Sequence, residues 1–319
     1  MERDLPPVLA LDIGGTKLAA GVVTGDGRIH GWQVSPTRRE AGPRPVLARL
    51  FDLGRKAIAE AGRPDVAAVG ISCGGPLDTR TGVLECPPHL PGWIDVPIGA
   101  MAARAFGVPS VLENDATAAA LGEHRYGAGR GTSTMLYLTI STGVGGGSVI
   151  GGRLHRGAAG NGGELGHLMV RPGGRRCSCG RLGCLEAYAS GTAIAERARE
   201  ALAEGRPSAL SALGHLTAED VSRAAEAGDP LARSVWDETT WALGAAITDL
   251  VNAFEPELVV LGGGVTRAGA RLLDPVAAAV ARDAMPPAAR TARIELSGLG
   301  TGVGVIGAAA VAHDLITTT

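Results

Sequence analysis

Two stretches of this chain share one design. LALDIG at residues 9–14 continues as GTKLAAGVV, and LYLTIS at residues 136–141 continues as TGVGGGSVI. Each reads as a short apolar strand, a glycine turn and a second strand. An echo of this kind constrains the fold more than any single motif, because it implies two halves built alike. Halves that each offer a glycine turn at a strand end would form a cleft with phosphate between them.

The rest of the chain alternates helix-period and strand-period segments. GPRPVLARLFDLGRKAIAEAG has apolar residues at helical spacing, and VAAVGIS is a continuous apolar run of buried-strand type. VPSVLENDATAAALGEHRYG reads as strand, turn and helix. Residues 190–255 are mostly helical and end with Leu243, Ile247, Leu250, Val251 and Phe254 along one face. ELVVLGGGV and RIELSGLG add strands, and GVIGAAAVAHDLI forms a final helix of small residues. Alternation of this kind is α/β, and 319 residues suit two domains. The echo sets the expected division near residue 120.

Composition excludes several functions. Aromatics at 3% are too few for a base-stacking surface, and a net charge of −2 leaves no basic footprint for nucleic acid. No apolar signal region opens the chain, and no apolar run approaches the roughly 18 residues of a spanning helix. No membrane or nucleic-acid partner is therefore expected. Five cysteines, three of them clustered, suit a reducing compartment, so a cytoplasmic location is expected.

Glycine loops carry the first chemical signal. In DIGGTK, Gly14 and Gly15 let backbone N–H groups turn towards an anion, Thr16 and Lys17 add donors, and Asp12 could hold magnesium through water. A plain hairpin with a capping Asp reads equally well from that stretch alone. The echo at 141–147 and a third loop, Gly262, Gly263 and Gly264, favour a nucleotide cradle. Gly302, Gly304 and Gly307 match G-x-G-x-x-G, but no ribose-binding acid can follow, so helix packing explains them. In ENDATAAALGE, Asn114 and Asp115 stand where a strand gives way to a helix. They read as helix caps or as a carboxylate able to take a hydroxyl proton; the stretch itself does not decide.

His167, Cys177, Cys179 and Cys184 supply the four N/S ligands of a tetrahedral zinc site, with Gly180 and Gly183 bending the loop. Three cysteines so close are hard to place in an ordinary core, whereas Cys73 and Cys86 read as isolated thiols. Glu164 and His167 share a face of one helical turn, and Glu186 follows two residues past the last cysteine. With the loop fixed, these three could converge; otherwise the two glutamates are solvated. Arg171, Arg175, Arg176 and Arg181 read as a solvated face.

Taken in order, D-I-G-G-T-K, N-D-A-x-A-A-A-L-G-E, T-G-V-G-x-G, G-E-L-G-H with C-x-C-G-x-x-G-C-x-E, and V-V-L-G-G-G cover nearly the whole chain. Together they resemble the ROK family (repressors, open reading frames, kinases) of sugar kinases. The resemblance implies a two-domain, actin-like, hexokinase-type (RNase H-like) ATPase fold, with residues 1–120 completed by the C-terminal helix 302–319 and residues 121–301 carrying a zinc loop at 167–186. It implies transfer of the ATP γ-phosphate to a hexose hydroxyl, usually at C6, and a homodimer or homotetramer. Carried over by position, Asp115 would be the catalytic base. Asn114, Glu164, His167 and Glu186 would grip sugar hydroxyls, with the Gly74–Gly75 backbone close by. Gly14 to Lys17, Thr142, Gly143 and Gly262 to Gly264 would hold ATP, with Asp12 near Mg²⁺. His167, Cys177, Cys179 and Cys184 would bind a structural Zn²⁺ that orders one wall of the sugar pocket and takes no part in the chemistry.

Four positions depart from the usual family pattern: Cys73 for Pro, His89 for Asn, Thr117 for Asn and Leu185 for Trp. Three of them, at 73, 89 and 185, fall near the expected sugar site. Glucose is the first substrate to expect, with N-acetylmannosamine, N-acetylglucosamine, mannose and fructose open. The family's repressors carry an N-terminal DNA-binding domain, and eleven residues ahead of Asp12 are too few for one. A sugar sensor without catalysis would lack Asp115 or the ATP loops.

Overall fold

A computed structural model describes residues 5–318. In chain order the strands are β1 (Val8–Ile13), β2 (Lys17–Val23), β3 (Ile29–Pro36), β4 (Val69–Cys73), β5 (Leu77–Asp78), β6 (Val83–Leu84), β7 (Ser110–Asn114), β8 (Met135–Ile140), β9 (Val144–Ile150), β10 (Arg153–Leu154), β11 (Leu258–Gly262) and β12 (Arg293–Leu296). The helices are α1 (Pro43–Glu60), α2 (Ile98–Phe106), α3 (Asp115–Tyr126), α4 (Glu186–Ala189), α5 (Gly191–Ala203), α6 (Ala218–Glu226), α7 (Pro230–Phe254), α8 (Ala270–Asp283), α9 (Pro286–Thr291) and α10 (Val303–Thr318).

The chain divides into two units. Unit 1 takes the chain up to Gly131, Leu154–Gly162, and the chain from Gly298 onward; unit 2 takes Thr132–Arg153 and Gly163–Ser297. Each holds a five-stranded sheet of the same plan. In unit 1 the order is β3-β2-β1-β4-β7, and in unit 2 it is β10-β9-β8-β11-β12. In both, an antiparallel glycine hairpin (β1–β2, β8–β9) is followed by two strands parallel to its first arm. The echo between residues 9–14 and 136–141 is thus an echo of whole sheets.

In unit 1 the sheet is covered on one side by α1 and α2. Leu47, Leu50 and Phe51 of α1 join Leu9, Leu11 and Ile71 of the sheet in one buried cluster. On the other side lies α10, whose Ala308, Ala309 and Ala312 pack on Val8, Ala10 and Ala19. Its Ala310 and Val311 meet Ala118 and Leu121 of α3. Small residues set this distance: a Cβ on Gly307 would come within 2.7 Å of the Ala118 backbone. Gly304 and Gly307 are therefore packing residues. One expectation needs correction here. Gly300–Thr317 has a mean hydropathy of 1.3 over 18 residues, which by length and composition alone could cross a membrane. Its apolarity comes from valines, isoleucines and alanines, of which Val305, Ile306, Ala308 to Ala310, Val311 and Ala312 are buried in the core, and half of it is buried inside the protein.

Unit 2 buries Leu136, Leu138, Val259 and Leu261 of its sheet with α5 and the long α7. Helix α7 starts on Asp229, whose side chain accepts from Ala232 N–H, with Pro230 at its first position. Helix α6 carries a full capping box between Thr217 and Asp220. Leu243, Ile247, Leu250 and Val251 are buried as their spacing predicts, but Phe254 is 40% exposed, because α7 ends there on a left-handed Glu255.

Candidate active site

In unit 1, β1, β4 and β7 run parallel with Asp12, Ser72 and Glu113 in register and Ile13, Cys73 and Asn114 one step further. The C-terminal edge of a parallel sheet is where open α/β folds place ligands. Asp12, Cys73, Asn114 and Asp115 all come to that edge. Asp12 accepts from the Ser72 hydroxyl at 2.5 Å, and a Cβ on Gly304 would strike its carboxylate. Burial pushes the Asp12 carboxyl up to about 6, Asp115 pushes it the same way, and Ser72 and Lys17 oppose. A carboxylate held in that condition fits a dication through water.

The two readings of Asn114 and Asp115 divide between the residues. Asn114 is the N-cap of α3, its Oδ1 accepting from Ala116 N–H at 3.0 Å and Thr117 N–H at 3.2 Å. Asp115 is the first helical residue and is solvent-accessible, with one oxygen accepting from Ala116 N–H at 2.8 Å. Desolvation by the surrounding protein still raises its pKa, against the Ala116 N–H and His89. His89 lies over this edge: its Nε2 is 3.9 Å from Cys73 Sγ, and a Cβ on Gly74 would come within 2.7 Å of its ring. Burial holds its pKa down. Gly14 N–H donates to the Lys17 carbonyl at 2.9 Å, closing the β1–β2 turn that exposes Thr16 and Lys17.

In unit 2, Ser141 N–H donates to the Gly143 carbonyl, and Ser141's own carbonyl accepts from Gly191 N–H at the start of α5. The Thr142–Gly143 turn thus stands beside a helix N-terminus, whose N-cap is Ser190. A cavity of about 710 Å³ opens next to it, lined by Thr142, Thr192, Leu216, Trp236, Gly264 and Arg267 among others. Around Gly264 a Cβ would meet open space, whereas at Gly262 and Gly263 it would strike the Tyr137 hydroxyl and the Ile140 carbonyl. Two glycines of that loop are therefore required by packing, and the third is open to a ligand.

The cysteine loop of unit 2 brings its four ligand atoms within 4.8 Å of one another. Cys179 and Cys184 Sγ are 3.8 Å apart, and Cys177 Sγ is 3.6 Å from His167 Nδ1. A tetrahedral zinc with ordinary bond lengths demands S···S of about 3.8 Å and S···N of about 3.6 Å. The donors fit the ion, and with four protein ligands no open position would remain for chemistry. His167 turns Nδ1 to the sulfurs and leaves Nε2 3.8 Å from Glu164. Glu186 is anchored: Oε2 accepts from Val144 N–H at 3.0 Å, and Oε1 accepts from Ser178 Oγ at 2.7 Å.

A model of the ROK family matches residues 8–315. The chain belongs to the ROK family. It is 38% identical over 307 residues to a glucokinase of Halalkalibacterium halodurans, covering 94% of this chain and 92% of that one. Among solved structures it resembles a ROK hexokinase from Thermus thermophilus (TM-score 0.84, 39% identity, 98% of this chain and 100% of that one). It also resembles a ROK glucokinase from Streptomyces griseus, solved with glucose and AMPPNP (TM-score 0.79, 35% identity, 97% and 99%). The α/β, hexokinase-type fold expected from the motifs is the fold found.

Within this ROK chain the sequence motifs missed several contributors. Ser72 clamps Asp12 from sixty residues away in the chain. Glu113 is fully buried, accepts from Asn114 N–H at 3.0 Å and pairs with Arg156 Nε at 2.7 Å, so it sets the strand end that carries Asn114. Its position just ahead of Asn-Asp was the one available hint. Two arginines expected on a solvated face are partly exposed there and also have partners. Arg175 forks onto Glu200 with two bonds of 2.7 Å, and Arg171 lies over the rings of Tyr188 and Trp241. Both tie the cysteine loop to α5 and α7.

Proposed function

We propose that this protein transfers the γ-phosphate of ATP to the 6-hydroxyl of a hexose, with glucose as the preferred acceptor. The observation that carries the reading is Asp115: a carboxylate at the C-terminal sheet edge, fixed by a helix start but not consumed as its cap. There it can take the acceptor hydroxyl's proton as the oxygen attacks phosphorus. Its raised pKa brings it nearer the range where a base both ionises and accepts a proton. Phosphoryl transfer needs little else beyond positioning and charge stabilisation. Asn114, whose amide nitrogen would lie 3.7 Å from a Cβ on Gly75, is assigned to a sugar hydroxyl, and Glu164, His167 and Glu186 are assigned to sugar hydroxyls as well.

The nucleotide is assigned to Gly14–Lys17, Thr142–Gly143 and Gly262–Gly264, with its base in the cavity beside α5. Magnesium bound with ATP would neutralise phosphate charge, and Asp12 is the residue to hold it. Zinc is assigned to His167, Cys177, Cys179 and Cys184 as a structural ion. It stiffens the loop that carries His167 and Glu186, so less order is lost when the sugar binds. We also read the enzyme as a cytoplasmic homodimer or homotetramer, which light scattering after size-exclusion would check.

The deciding experiment is ADP release with Mg-ATP against glucose, mannose, fructose, N-acetylglucosamine and N-acetylmannosamine. Glucose should lead. Preference for an N-acetyl sugar would move the acceptor and trace the change to Cys73, His89 or Leu185. Absence of turnover with every sugar would overturn the kinase reading.

A further inference from the structure

Ser178 sits between two of the cysteines and is not one of the four metal-ligating residues. Its hydroxyl donates to Glu186 Oε1 at 2.7 Å, and Cys177 Sγ donates to the same oxygen at 3.6 Å. The other carboxylate oxygen accepts from Val144 N–H at 3.0 Å. Val144 opens β9 directly after the Thr142–Gly143 turn, and a Cβ on Gly143 would lie 2.7 Å from that oxygen. The absent side chain is what admits the carboxylate. Glu186 is thus strung between the cysteine loop and the turn, one oxygen committed to each.

We propose that Ser178 is a positioning residue: through Glu186 it couples the order of the zinc loop to the shape of the nucleotide-binding turn. This rests on the functional reading above in one respect, that Thr142–Gly143 holds the nucleotide. A carboxylate held at both oxygens by charge-assisted bonds cannot rotate, so the Val144 amide and the turn before it are fixed with it. Zinc would take Cys177 as a thiolate without a proton to give, which leaves Ser178 as the loop's donor to Oε1. Loss of its hydroxyl would let Glu186 swing and the turn relax.

The test compares Ser178→Ala with the hydroxyl-retaining Ser178→Thr. Zinc content is read by elemental analysis, and binding of a non-hydrolysable ATP analogue with Mg²⁺, in the absence of sugar, is read by calorimetry. Ser178→Ala should keep its zinc and bind the analogue about tenfold more weakly, the scale of one hydrogen bond to a charged group. Ser178→Thr should recover to within about twofold of the parent. Where turnover is measurable, KM for ATP should rise in Ser178→Ala with kcat reduced less. Unchanged analogue binding in Ser178→Ala would overturn the proposal. So would a Thr variant as defective as the Ala variant, or loss of zinc from Ser178→Ala, which would make Ser178 a support of the loop alone. Because binding is read without sugar, a failure to phosphorylate any hexose would count against the kinase reading and leave this result standing.

Discussion

Replacing Asp12 with Asn should make the ligand-free protein more stable while damaging it as a kinase. The Asp12 carboxyl ordinarily titrates at 3.8 and is pushed up to about 6 in the fold, chiefly by burial. The folded state therefore holds the proton more tightly than the unfolded chain between those values, and stability falls as pH rises through that window. Above pH 6 the cost is complete. A shift from 3.8 to about 6 corresponds to about 3 kcal/mol at pH 8 and about 1.6 kcal/mol at pH 5. Asn keeps an oxygen for the Ser72 hydroxyl and carries no charge to desolvate, so the variant escapes most of this cost. The attraction to Lys17 is already contained in the shift, so about 3 kcal/mol is the net cost of the charge.

The assay is urea unfolding of both proteins at pH 5 and pH 8 without nucleotide or Mg²⁺. The variant's advantage should grow by about 1.4 kcal/mol between the two pH values. Other titrating groups, His313 among them, are common to both proteins and cancel in the difference. Mg-ATP should then stabilise the parent more than the variant, since a dication restores the use of the charge. An Asp12→Asn protein less stable than the parent at pH 8, or an advantage that ignores pH, would refute the reasoning.

Asp115→Asn should lower turnover by about 10² to 10⁴ with sugar affinity largely kept; near-normal turnover would remove Asp115 from the base role. Cys179→Ser should lose zinc and lower the thermal midpoint, because a structural ion contributes folding energy directly; a parent protein free of metal on elemental analysis would end that assignment. His313 is fully buried, with Nδ1 2.8 Å from the Tyr126 hydroxyl and Nε2 3.1 Å from the Pro6 carbonyl, and burial lowers its pKa from 6.5 to about 4. The unfolded chain binds the extra proton across that window, so stability should fall by up to about 3 kcal/mol as pH drops from 6.5 to 4. His313→Gln should flatten this part of the acid limb in unfolding measurements, and an unchanged limb would place the titration elsewhere.

What could be read from the sequence was what local patterns encode. The hairpin echo was legible because strand period and glycine turns are properties of neighbouring residues, and the sheets repeat it. The convergence of these side chains was legible because three thiols and a histidine within eighteen positions leave few geometries, and their ligand atoms do gather within 4.8 Å of one another. Contacts between distant segments were not legible. Nothing near Ser72 marks it as the partner of Asp12, and Glu113 reads as one more surface glutamate until Arg156 is brought against it. Arg171 is exposed as its pattern suggests, but its place over the ring of Trp241, far along the chain, was not legible.

The Asn-Asp pair shows why sequence alone left two readings open. A helix start needs an acceptor for its first free N–H groups, and either residue could supply one. If Asp115 were the cap, its oxygens would be spent on the backbone and its pKa driven down. With Asn114 as cap, the next residue is held at the first helical position by the same bonds, yet keeps an oxygen for a proton. Asn also does this without charge. A carboxylate at 114 would stand beside Asp115 and near Asp12, at an edge where burial already raises both. A neutral cap followed by an acid therefore positions the base rigidly while its basicity is set by its surroundings, and that division of labour depends on backbone geometry that residue identities do not fix.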